Sequence, residues 1–91
     1  MTARERAEAA FREEGLDPHT WSNQPGYVYG EHEHAYHKVL ICMEGSIVFH
    51  TPEGDIALIE GGRLDLPPHT PHSATVGSRG VTCMEAARWR G

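Results

Sequence analysis

Ninety-one residues can bury one modest hydrophobic core and not two, so all the chemistry of the chain sits on a single scaffold. The composition, 38% hydrophobic and 23% charged with glycines and prolines scattered rather than gathered in a tract, excludes a low-complexity or collagen-like chain. A formal net charge of -5, with no Lys/Arg stripe to offset it locally, argues against a nucleic-acid partner.

Residues Met1 to Gly15 are charged and amphipathic and lack the apolar stretch of a signal peptide, and no run approaches transmembrane length. A cytoplasmic protein with no membrane partner is therefore expected. Thr2 followed by Glu5 reads as a capping box, and Ala3 to Glu14 is made almost wholly of good helix formers, with Gly15 placed to accept a left-handed C-cap. This predicts a short helix. Its apolar positions Ala3, Ala7, Ala10 and Phe11 form a thin stripe, which predicts an appendage lying against the main domain or a neighbouring subunit. Residues 1–18 are expected to be this helix and a linker, and residues 19–91 the main domain.

After Pro18 the hydrophobic pattern changes to period two, with turn signals at Gln24 to Gly26, Glu44 and Gly45, Pro52 to Asp55, Gly61 and Gly62, Pro67 to Pro71, and Gly77 to Gly80. Seven strands are predicted: Tyr27 to His34, Lys38 to Met43, Ser46 to Thr51, Asp55 to Ile59, Arg63 to Leu66, His72 to Val76 and Val81 to Ala87. Short strands at this spacing define an all-β sandwich or barrel. Two cysteines, Cys42 and Cys83, with no CxxC pair indicate neither a disulfide framework nor a zinc ribbon, and are expected to be buried, reduced thiols.

Seven histidines are many for this length, and four of them fall in two clusters. His32 and His34 are two apart in a predicted strand, so both imidazoles face the same side and form a bidentate metal clip. His69 and His72 follow in a proline-rich segment where a turn feeds a strand able to pair with the first, and such a return supplies a third ligand. His19, His37 and His50 read as surface residues, and Glu31 and Glu33 as a solvated face. The segment after His32 does not satisfy HExxH and is not helical, which excludes a zincin protease. Imidazole ligands suit zinc, iron, nickel or copper, and manganese if a carboxylate joins.

These intervals resemble the two motifs of the cupin superfamily, G(x)5HxH(x)3,4E(x)6G and G(x)5PxG(x)2H(x)3N. Gly26, His32, His34, Lys38 and Gly45 keep every interval of the first, with lysine in place of the glutamate. Gly61, Pro67, His69, His72 and Val76 keep every interval of the second, with His69 in place of the central glycine and Val76 in place of the asparagine. The resemblance covers Gly26 to Val76 and implies a small antiparallel jelly-roll β-barrel, with one divalent transition metal held by His32, His34 and His72.

Lys38 stands where the family carries its fourth ligand, and a protonated lysine does not ligate. Three arrangements follow. In one, three histidines hold the metal and Lys38 binds an anionic substrate group or moves a proton with a lowered pKa. In another, His69, Glu85 or His37 is the fourth ligand and Lys38 turns outward. In the last, a metal-free pocket binds a small anion. Parity from Lys38 puts Lys38, Leu40 and Cys42 on the barrel's inner face, with Val39, Ile41 and Met43 outside. Glu85, alternating with Cys83, is a second candidate proton-transfer residue, and Trp21, Tyr27, Tyr29 and Tyr36 flank the mouth or join the core. The expected function is a stand-alone cupin binding metal and a small anionic or polyhydroxylated ligand, as a metal-dependent enzyme or as a sensor without turnover. Homodimerisation is expected from the resemblance and from the small core.

Overall fold

The computed structural model describes residues 1–89, so the last two residues of the expected barrel range, 90 and 91, lie outside the described residues. At the N-terminus the capping box closes as its residue types require. Thr2 Oγ1 accepts the Glu5 amide at 3.1 Å, and Glu5 Oε1 accepts the Thr2 amide at 2.8 Å. The helix α1 (Ala3–Glu13) ends beside Gly15, whose φ of 69° is the left-handed conformation predicted for it. No helix among the described residues is long and apolar enough to cross a membrane.

Six strands follow: β1 (His19–Asn23), β2 (Val28–His32), β3 (His37–Thr51), β4 (Gly54–Ile59), β5 (Arg63–Leu66) and β6 (His72–Arg88). All pairings are antiparallel. The first half of β3 pairs with β5 and with the second half of β6, which in turn pairs with β1. The second half of β3 pairs with β4 and with the first half of β6, whose other neighbour is β2. One continuous sheet is thereby folded into two four-strand layers that share β3 and β6, giving the antiparallel β-barrel that the strand pattern and the motifs predicted.

Two predicted turns are not turns. Glu44 and Gly45 lie inside β3, and Gly77 to Gly80 inside β6. The pairing of these strands shifts register on either side of Gly45, which bends both strands from one layer into the other without ending them. Gly45, at φ 74°, abuts Gly80, and a Cβ on Gly45 would stand 1.9 Å from the Gly80 carbonyl oxygen. Only glycine fits this corner. β1 is an additional strand: in His-Thr-Trp-Ser-Asn a single apolar residue, Trp21, carries the alternation.

The barrel interior is filled by Leu40, Cys42 and Cys83 from one layer and Ile47, Phe49 and Val76 from the other, among further buried residues. Val39, Ile41, Met43, Met84 and Ala86 face outward, as the parity from Lys38 requires, and form a second cluster with Ala7 and Phe11 of α1. The helix is thus more than an appendage, because its two fully buried side chains cover the outer face of the first layer. Arg63 and Arg88 both bind Glu14 just beyond its last turn and fix it there.

Candidate metal and ligand site

β2 and β6 build the mouth of the barrel. Tyr29 pairs with Ala74 and His32 with His72, so β2 uses three residues where β6 uses two. This bulge reverses the phase of β2: Tyr29 faces inward, and the extra residue turns His32 inward as well. The strand ends at His32, and His34 belongs to the loop before β3. Simple alternation within one strand therefore does not bring the two histidines together, contrary to the expectation from their spacing. The bulge orients His32, and the loop returns His34.

One ligand atom from each of His32, His34 and His72 lies within 4.8 Å of the others. His32 Nδ1 is 2.7 Å from the Gly30 carbonyl and His72 Nδ1 is 2.8 Å from the Thr70 carbonyl. A carbonyl can only accept, so each Nδ1 carries the proton and each Nε2 keeps its lone pair. The Nε2 atoms of His34 and His72 are buried without a hydrogen-bond partner. Burial lowers the pKa of both imidazoles below the ordinary value, and the Lys38 charge lowers it further. On His32 and His72 an Nδ1–H held by a backbone carbonyl leaves Nε2 as the donor atom, and with His34 beside them this is a donor set that suits a divalent transition metal. The three histidines fit such an ion.

His69 does not join them. It is exposed, with φ 61°, and its amide donates to the His34 carbonyl at 2.7 Å. The position that carries glycine in the second motif is left-handed here too, and its contribution is a backbone bond that ties the two loops of the mouth together. His37 is likewise outside the group, 3.0 Å from Asp65, and His50 is spent between Asp55 and Thr75. Val76, at the place of the motif's asparagine, is in the core.

Lys38 and Glu85 both reach the same cavity, a space of about 300 Å³ whose floor is Ile47, Phe49 and Ala74. Lys38 Nζ stands 3.4 Å from Glu85 Oε1, with both side chains largely shielded. The same oxygen accepts the indole N–H of Trp21 at 3.0 Å, so Trp21 holds the carboxylate as well as lining the wall. Tyr29 also lines the cavity and accepts from the Asn23 amide at 2.7 Å. Tyr36 instead stacks on His34, with ring centroids 4.8 Å apart. His19, read from sequence as a surface residue, is at the cavity rim because it pairs with Glu85 across β1 and β6. Nothing in the spacing signalled this, since it depends on a strand that the sequence pattern did not announce. Cys42 and Cys83 are buried cross-strand partners. The Cys42 thiol and burial push Cys83 far above the usual thiol range, whereas the hydrogen bond from Cys83 holds Cys42 below it.

A double-layered antiparallel barrel with imidazoles converging at one end is the architecture of the cupin superfamily, and the comparisons agree. The AraC-like ligand binding domain family matches residues 16–86, and the chain belongs to that cupin-like family. Among solved structures, a chain from the DMSP lyases RdDddP and RnDddQII is 26% identical with a TM-score of 0.76, over 84% of this chain and 40% of that one. A cupin superfamily protein from Desulfitobacterium hafniense is 17% identical with a TM-score of 0.73, over 82% of this chain and 68% of that one. The structure of KdgF from Halomonas sp. is 19% identical with a TM-score of 0.68, over 82% of this chain and 70% of that one. This chain thus spans two fifths of the lyase chain it resembles. No curated protein matches the sequence.

Proposed function

We propose that the chain is a metal-dependent small-molecule-binding cupin, in which His32, His34 and His72 hold one divalent transition ion and the cavity beside them receives a small anionic or polyhydroxylated ligand. The observation that carries this reading is the pair of buried Nε2 atoms, on His34 and His72, with nothing to bond. Leaving a buried polar atom unpaired costs about 1–3 kcal/mol, a cost that an ion ligated through these nitrogens would remove. The membership in a ligand-binding family supports the second half of the reading. Purified protein is expected to carry about one equivalent of a transition metal by elemental analysis, lost in a His32→Ala/His34→Ala variant. Metal-free protein from every preparation, followed by failure to take up added zinc, iron or manganese, overturns it.

A second reading, turnover, is favoured by the Lys38–Glu85 pair in the cavity wall and by the likeness to a DMSP lyase chain. The ion when bound supplies a Lewis acid for a ligand oxygen. Lys38 donates a proton or Glu85 accepts one at the ligand, and Trp21 keeps the Glu85 carboxylate aimed. Incubation of metal-loaded protein with candidate metabolites, read by mass spectrometry for product, separates catalyst from binder. A Lys38→Met variant with undiminished turnover removes lysine from the mechanism. Self-association and a cytoplasmic setting belong to the same reading. Val28 and Ile59, 65% and 69% exposed, leave the outer face of the second layer uncovered. A single monomeric boundary in sedimentation velocity would reject the dimer.

A further inference from the structure

Lys38 is 7% exposed, and burying an ammonium is costly unless its donors are used. Its carboxylate partner, at 3.4 Å, is farther than the about 2.7–2.9 Å of a charge-assisted hydrogen bond, the same Glu85 oxygen also accepts the Trp21 indole N–H, and an ammonium carries more N–H donors than this one oxygen can use. The ammonium therefore faces the cavity with donor capacity to spare, beside His32 and His72, whose Nδ1–H bonds leave the lone pair on Nε2. Lone pairs call for a cation; unused N–H groups call for an anion.

The charge balance points the same way. Three imidazoles bring no negative charge to a divalent ion, and Glu85, the one carboxylate in the cavity wall among the described residues, is offset by Lys38. The ion's double charge is left for the ligand to neutralise. A carboxylate at position 38, as in the first motif, would have cancelled it together with Glu85. A neutral polyol, which suits a site already compensated, leaves this one unbalanced.

We propose that Lys38 sets the charge of the ligand, so that the site takes a small organic acid, preferentially a dianion such as a short dicarboxylate, and rejects neutral polyols. The remainder of the ligand is short and apolar or weakly polar, because the floor is Ile47, Phe49 and Ala74 and the volume of about 300 Å³ lies at the small end of ligand cavities. This rests on the metal-and-ligand reading above and narrows its ligand to one class.

The test uses cobalt(II)-loaded protein, whose visible absorption reports the ion's ligand shell, titrated with malonate and separately with glycerol. Malonate is expected to change the spectrum saturably and glycerol to leave it unchanged. Lys38→Met is expected to take up cobalt as the native chain does, while its malonate Kd rises at least about tenfold. Equal malonate affinity in the two proteins, or glycerol binding on a par with malonate, overturns the proposal. Because Lys38→Met strands Glu85, the Lys38→Met/Glu85→Gln variant, checked by circular dichroism, repeats the comparison if the single variant does not fold. Should cobalt not bind at all, the metal reading fails separately. Calorimetric titration of malonate into metal-free native and variant protein then decides: a tenfold difference sustains the anion site, and equal or absent binding rejects it.

Discussion

Lys38 and Glu85 each withdraw a charge from water that the other compensates, at a separation of 3.4 Å under shielding on all but the cavity side. Removing either partner strands the other, whereas removing both leaves no charge behind. Lys38→Met and Glu85→Gln are each expected to lower the unfolding free energy by about 1–3 kcal/mol in urea titrations, and the double variant by clearly less than the sum. Additive losses would show that the pair is not coupled. His69 offers a contrasting case, since its ring is exposed and its backbone is strained. His69→Gly is expected to hold or raise stability by up to about 1 kcal/mol, the relief of the left-handed conformation being partly offset by a more flexible unfolded chain. Its uptake of added metal is expected to equal that of the native chain, and a lower uptake would place His69 among the ligands. At this scale the sequence disclosed which histidines to consider through their intervals, and Lys38 through its place in them. It did not disclose that His32 needs a bulge at Gly30 and Glu31 to face inward, or that Trp21 anchors Glu85. Both depend on the register of strands brought together from distant parts of the chain.

Among the elements, α1 and β5 were readable because their signals are local: a capping box with a run of helix formers, and a short alternating segment between turns. β3 and β6 were each read as two strands because glycine near the middle signals a turn equally well whether the chain reverses or merely bends. Partner geometry decides, and Gly45 sits against Gly80 with no space for a side chain. This separates two glycines of the same motif. Gly26 has a similar φ of 75°, but a Cβ placed on it would meet nothing within 4 Å. Gly26→Ala should cost about 1 kcal/mol for backbone strain alone, and Gly45→Ala more than about 3 kcal/mol or a failure to fold. Similar urea midpoints for the two variants would mean that the corner tolerates displacement.

For the molecule as a whole, stability is expected to fall on acidification in two stages. His34 and His72 titrate below their ordinary value of 6.5, chiefly through burial. Below that value the unfolded chain binds protons that the fold resists, so their contribution is complete above pH 6.5 and shrinks as the pH drops beneath it. Glu14 and Asp65, held below their ordinary 4.5 and 3.8 chiefly by hydrogen bonds from Arg63, add stability that is present above those values and lost beneath them. Urea midpoints of metal-free protein should therefore decline as the pH falls below about 6.5 and again as it falls below about 4.5. A His34→Gln/His72→Gln variant should keep the lower decline and lose the upper. An unchanged upper decline would place its origin elsewhere.

Because β3 and β6 run through both layers, neither layer has a border at which it could detach from the other. Amide protons of Leu40 in one layer and Phe49 in the other belong to the same strand, so their slow exchange with deuterium should proceed through one shared opening, with equal free energies. A partly open form that kept the histidine end while releasing the opposite layer has no seam along which to form. Whatever loosens the mouth without unfolding the protein must act through the loops that carry His34 and His69.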